Sequence, residues 1–167
     1  MSDNILSIPK VSIIIPIYNT APFLRQTLDS ICNQSLKELD IILINDGSTD
    51  ESPNIIEEYV RKDNRIKHLT QPNQGQSVAR NNGLQLAKGK YIYFMDGDDI
   101  LDTDALKKCY NMCEKDELDF VFFDATVISS PNDSNTFAYC RKEIISEDKL
   151  WNGIDLFNYE LEHNIFM

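Results

Sequence analysis

The residues with the clearest chemical potential are Asp96-Gly97-Asp98-Asp99, placed directly after the apolar run at residues 91–95. Three carboxylates within four residues repel one another, and a position at the end of a strand gives them little freedom to separate. A divalent cation relieves that repulsion. An all-oxygen donor set suits Mg²⁺ or Mn²⁺, ions that keep waters and bridge to substrate phosphates. The plainer reading is that Asp98 and Asp99 solvate a loop and cap the next helix. Two further polar clusters follow apolar runs in the same way: Tyr18-Asn19-Thr20 after residues 11–17 and Asp46-Gly47-Ser48 after residues 40–45. Asp46 can accept a hydrogen bond from a base or ribose, or serve as a turn residue. Gly47 permits a tight turn and close approach of a ligand. Arg80, in Ala79-Arg80-Asn81-Asn82-Gly83, can meet a phosphate or base, or pair with a surface carboxylate. Asn81 and Asn82 are poor helix formers inside a helical stretch, which points to a specific task there.

The elements that must carry these residues alternate. Residues 11–17 form a nearly continuous β-branched run, as expected of a strand buried on both faces. A helix is predicted over 22–33, with Phe23, Leu24, Leu28 and Ile31 at helical spacing. A buried strand at 40–45 follows, then a helix to residue 62 capped by Ser48, Thr49 or Asp50. A short strand at 66–69, a turn at 72–75 and a helix over 77–87 stopped by Gly89 come next. A strand at 91–95, a helix over 103–114 and a strand at 120–127 complete the pattern. Such alternation predicts an α/β fold with a largely parallel sheet, Rossmann-like and flanked by helices. In such a sheet, ligands bind beyond the carboxyl ends of the strands. The three polar clusters all fall on that rim and together describe a pocket. Residues 129–135 read as an exposed loop, and residues 144–167 as an amphipathic segment, helical in part. The sequence stops on the apolar run Ile165-Phe166-Met167, which predicts a chain that continues further.

At 167 residues the chain fits one domain, with 128–167 read as the start of an incomplete further region. Sixteen basic residues against twenty-seven acidic ones give a net charge of −11, a field that repels nucleic acid. So acidic a protein needs a local device, a metal ion or a focused arginine, to hold an anion. Cys32, Cys109, Cys113 and Cys140 include no CxxC pair, and only His68 and His163 could join them, so reduced, mostly buried thiols are expected rather than zinc. There is no basic, apolar leader at the start and no apolar run long enough to span a bilayer, which predicts a cytoplasmic protein. GxGxxG is missing, residues 83–90 miss the P-loop spacing by one, and Leu101 stands where an EF-hand loop needs glycine.

Four stretches together resemble the family 2 glycosyltransferases: residues 11–19 (VSIIIPIYN), 43–52 (LINDGSTDES), 73–83 (NQGQSVARNNG) and 91–99 (YIYFMDGDD). Their order and spacing match, and they cover most of residues 11–102. The resemblance implies a GT-A fold and transfer of a sugar from a nucleotide-diphosphate donor, with UDP expected, to an acceptor hydroxyl with inversion. It places Pro16, Tyr18 and Asn19 beside the nucleotide, Asp46 on the base and Arg80 on base or phosphate. Asp96 and Gly97 fall to the ribose side, and Asp98, with Asp96, to a Mn²⁺ or Mg²⁺ that bridges the diphosphate. Asn45 departs from the first acidic position of the common pattern. The general base in the family lies on the acceptor side, beyond residue 167; Glu160 and Glu162 read as solvated. Relatives that act on lipid-linked saccharides imply a peripheral place at the inner face of the membrane. Two rival readings remain open here. Residues 91–101 approach the DxDx[T/V] motif of a haloacid-dehalogenase-type phosphatase, with Ile100 out of place, and a non-catalytic nucleotide-sugar-binding module would need the same pocket.

Overall fold

The computed structural model describes residues 8–123, 125–127 and 137–139. The chain divides into two compact units, residues 1–121 and 122–167. In the first unit, β1 (Val11–Ile17), β2 (Leu39–Asp46), β3 (Ile66–Gln71) and β4 (Tyr91–Phe94) form one parallel sheet in the order β3-β2-β1-β4. Between them run α1 (Ala21–Cys32), α2 (Ser52–Lys62) and α3 (Gln76–Leu86), and α4 (Ala105–Asp116) follows β4.

The β-branched runs become the two central strands because they alone can be buried on both faces. Ile13, Ile15 and Ile17 join Leu24, Leu28 and Ile31 of α1 and Ile55, Ile56 and Tyr59 of α2 in the larger core cluster. Ile14, Ile42 and Ile44 point the other way and pack with Ala79 of α3. Each fully buried isoleucine contributes about 1.5–3 kcal/mol relative to exposure. Gly83 lets α3 lie flat on that face, since a Cβ there would come within 2.4 Å of Ile14 Cγ2. Tyr91 and Tyr93 of β4 turn toward the larger core, and Tyr91 meets Tyr110 of α4 edge to face at 5.9 Å.

The amino end of the sheet is tied off by Asp40, which is buried. Its carboxylate accepts from Ser12 Oγ at 3.0 Å, Lys67 Nζ at 2.5 Å and Lys88 N at 3.1 Å. Gly89 fits here only as glycine, because a Cβ would lie 2.3 Å from Ser12 N.

Two sequence expectations need correction. Gly89 does not stop α3; the helix ends at Leu86 and Ala87 is already extended, with φ −66° and ψ 138°. The glycine is required by close approach to β1 instead. The strand expected at 120–127 is reduced to β5 (Ala125–Val127), which pairs antiparallel with β6 (Phe137–Tyr139) in a separate two-stranded sheet. An apolar run reads alike inside and outside a sheet, since periodicity supplies no pairing partner. The loop expected at 129–135, the amphipathic segment at 144–167, Cys140, His163, Glu160 and Glu162 lie outside the described residues.

Candidate functional site: an acidic cleft at the carboxyl end of the sheet

A cleft of about 250 Å³ opens at the carboxyl ends of β1, β2 and β4. Pro16, Ile17, Tyr18, Thr20, Asp46, Gln76, Asp96, Gly97 and Asp98 line it. Six of the eight residues expected of the site thus meet in one concavity. Asn19 and Arg80 do not line it; Asn19 bonds to the loop after β2, and Arg80 pairs with the lining residue Asp96.

Asn19 adopts the left-handed conformation, φ 53°, which asparagine tolerates better than most residues. Its Oδ1 accepts from Thr49 N at 2.8 Å and Asp50 N at 3.3 Å, and its own N–H donates to Ser48 Oγ at 3.1 Å. The residue therefore laces the loop after β1 to the loop after β2. Asn45 has a turn role as well: its Oδ1 takes the Ser48 N–H at 2.9 Å. Asp50 accepts from Ser52 N at the start of α2 and from Ala21 N at the start of α1.

Asp46 is buried at the end of β2. Its Oδ1 accepts from Gln71 Nε2 and from Gln74 N, and its Oδ2 from Gly75 N, all at 2.8 Å. Gln71 Oε1 in turn accepts from Asn82 Nδ2 at 2.6 Å. This relay is the task of Asn82 inside α3. The turn reading of Asp46 is therefore real, and the same side chain also faces the cleft. Gly47, at φ +74°, passes so close to Asn73 that a Cβ would fall 2.8 Å from Asn73 N.

Arg80 Nη2 pairs with Asp96 Oδ1 at 2.5 Å, while its Nε is buried without a hydrogen-bond partner among the described residues. The three carboxylates of residues 96–99 consequently do not share one point, and no group of three or more acidic, His or Cys side chains forms a ready cage among the described residues. The repulsion expected between them is partly relieved by Arg80 rather than left whole for a metal. Asp98 is exposed and takes no hydrogen bond or ion pair among the described residues. The Asp99 carboxyl is pushed up from its ordinary value by partial burial and by the neighbouring charges of Asp96 and Asp98. Burial, with Asp99, Cys109 and Asp96 adding, pushes the Tyr93 hydroxyl up to about 12. The residual field is negative. The donor set fits a Mg²⁺-like ion, which needs only one or two protein carboxylates and completes its shell with water and substrate phosphate.

Sequence reasoning missed Ile17 and Gln76 as lining residues, and gave Thr20 a place on the rim but no role. It also missed what holds the acidic loop. Thr27 and Gln34, both fully buried, and Ser30 bond from α1 and its C-terminal extension to the backbone of residues 97–106. The available signal was polar residues at i, i+3 and i+7 beside the apolar stripe of Leu24, Leu28 and Ile31.

A parallel sheet with helices on both faces and an acidic cleft on its carboxyl rim defines an α/β protein of the GT-A type. The chain belongs to glycosyl transferase family 2, whose profile matches residues 12–162. It is 44% identical over 114 residues, 68% of this chain, to the uncharacterized glycosyltransferase EpsJ of Bacillus subtilis, of which those residues make up 33%. S. aureus TarS in complex with UDP superposes with a TM-score of 0.60 at 29% identity, over 64% of this chain and 32% of TarS. The mannosyltransferase PcManGT of Pyrobaculum calidifontis, in complex with GDP-Man and Mn²⁺, does so with a TM-score of 0.56 at 26% identity, over 59% of this chain and 30% of that one. The chain thus spans about a third of the length of these relatives. These likenesses do not favour the phosphatase reading. No helix among the described residues is long and apolar enough to cross a membrane.

Proposed function

We propose that this chain is the donor-binding portion of a glycosyltransferase that takes a sugar from a UDP-linked donor, with Mn²⁺ or Mg²⁺, and delivers it to an acceptor hydroxyl with inversion. The observation that carries the reading is the meeting of Pro16, Tyr18, Asp46, Asp96, Gly97 and Asp98 in one cleft on the carboxyl rim. TarS binds UDP and PcManGT binds GDP-Man with Mn²⁺, which supports a nucleotide-sugar ligand here.

In this reading Tyr18 and Asp46 border the base, and Arg80 holds Asp96 toward the ribose. Asp98, with Asp96 beside it, would hold the metal ion. When bound, that ion stabilises the negative charge that develops on the departing nucleoside diphosphate. Asp98 supplies the anchoring oxygen, Gly97 keeps the backbone close to the ligand, and the apolar floor of Pro16 and Ile17 sheds water from it. The proton of the acceptor hydroxyl goes to a general base further along the chain than residue 167. Residues 128–167 begin the acceptor-side region, and the acceptor is a saccharide or lipid-linked saccharide met at the cytoplasmic face of the membrane, as in polysaccharide and cell-envelope synthesis.

Calorimetric titration with UDP, with and without Mn²⁺, tests the reading. Binding strengthened by Mn²⁺ is the expected result; equal heats with and without the metal, or tighter binding of GDP than of UDP, would overturn the metal role or the choice of base respectively.

A further inference from the structure

We propose that Thr27, seconded by Ser30 and Gln34, is the positioning residue that sets the Asp98 carboxylate for metal binding; this rests on the donor-site reading above. The acidic loop has few restraints of its own. Asp98 takes no bond among the described residues, and residues 96–99 are joined by a backbone bond from Asp99 N to Asp96 O at 3.3 Å. Helix α1 and the residues just after it supply the rest. Thr27 Oγ1 donates to Gly97 O at 3.0 Å, at the peptide unit that leads directly into Asp98. Ser30 Oγ accepts from Leu101 N at 3.1 Å and donates to Thr27 O at 2.7 Å. Gln34 Nε2 donates to Asp102 O at 2.7 Å, and its Oε1 accepts from Leu106 N at 3.3 Å. The backbone is gripped just before Asp98 and again just after Asp99, with the carboxylates left outward.

Thr27 and Gln34 each have a second acceptor in their own segment, Phe23 O at 3.5 Å for Thr27 Oγ1 and Ser30 O at 3.1 Å for Gln34 Nε2, but the loop carbonyls are the shorter contacts. Thr27 and Gln34 are fully buried, and a buried polar group without a partner costs about 1–3 kcal/mol. An apolar residue would pack beside Leu24, Leu28 and Ile31 without that risk. Stabilising a loop is one return on such a row; fixing the aim of a ligand is the other. Mg²⁺ demands near-octahedral geometry at ~2.0–2.1 Å, so a displacement of about 0.5 Å in the carboxylate matters.

The roles separate in one experiment. UDP is titrated into the unsubstituted protein, Thr27→Val and Thr27→Ser, each with and without Mn²⁺, and Tm is recorded for all three. Thr27→Val keeps the shape and removes the hydroxyl, so Mn²⁺-supported affinity should fall roughly tenfold while metal-free affinity stays unchanged. Thr27→Ser restores the donor and should recover affinity to within about twofold. A Thr27→Val protein with lowered Tm but an undiminished Mn²⁺ enhancement would overturn the proposal and leave a purely structural bond. An equal loss with and without metal would overturn it too. If Thr27→Val does not fold, Ser30→Ala, which removes the Leu101 N acceptor, carries the same readout. Absence of Mn²⁺-dependent binding in the unsubstituted protein sinks the donor-site reading itself, a result distinct from a lost Thr27 effect.

Discussion

Asp40 and Asp46 stand at the two ends of one strand, equally buried, and do opposite things. At the amino end, Asp40 is matched by the Lys67 ammonium and by the hydroxyl and amide that lash β1 to the chain entering β4. Around it Asp63 pairs with Arg65, and Lys10 with Glu38. At the carboxyl end, Asp46 is held by one side-chain amide and two backbone N–H groups and has no cation among the described residues. Beside it Asp98 stands without a partner among the described residues. The fold settles its charge at one end and leaves it unsettled at the other. A buried carboxylate with a lysine is architecture; carboxylates in an open cleft with fewer cations than anions are where the proposed ligand would balance the charge.

The comparison breaks most visibly at Gly89. Gly89→Ala drives a Cβ into the β1 backbone, so urea denaturation should show a loss of about 3 kcal/mol. Its cleft is remote from that contact, so the folded fraction should still bind UDP normally. Asp98→Ala is the mirror case: Mn²⁺-supported UDP affinity should fall about 100-fold, roughly 2.7 kcal/mol, with Tm unchanged because the side chain is exposed. Retention of metal dependence in Asp98→Ala would remove the carboxyl-end half of the comparison. Asp40→Ala should cost about 2 kcal/mol of stability by removing the acceptor of the Ser12 hydroxyl and of the Lys67 ammonium, and should leave nucleotide affinity alone. The smallest effect is on acid stability. Hydrogen bonds from Arg65 hold the Asp63 carboxyl below its ordinary 3.8, so its contribution is complete above that value. It is lost as pH falls through the lower folded-state value. Asp63→Asn should therefore flatten the stability profile at the acid end of the titration.

Much of this was legible in the residue order. β1 and β2 declared themselves because unbroken β-branched runs have no use outside a doubly covered sheet, and the three polar clusters inherited their place from the strands they follow. Asn82 was visible as an oddity of a helix and Arg80 as a cation for a phosphate, a base or a surface carboxylate, though not their particular partners, Gln71 and Asp96. Pairings across 11 and 16 residues depend on how α3 docks, and no local pattern encodes that. The Thr27–Ser30–Gln34 row stayed hidden for a similar reason, since a threonine on an apolar stripe gains meaning only from a carbonyl 70 residues away. The reading of 120–127 failed where an apolar run had to be assigned a partner that composition could not name.

The Asp46–Gln71–Asn82 relay bears on how such a protein can be re-engineered. The turn at residues 72–75 and helix α3 form a cassette whose polar key to β2 is the Asp46 carboxylate, while Ala79 and Gly83 supply its apolar seat on Ile14 and Ile44. Swapping residues 71–82 for the matching stretch of a relative would transplant Arg80 and the adjoining wall together, provided the donor stretch brings an amide at 71 and an amide at 82. A graft lacking either would arrive with its socket mismatched, and its arginine would be aimed by chance.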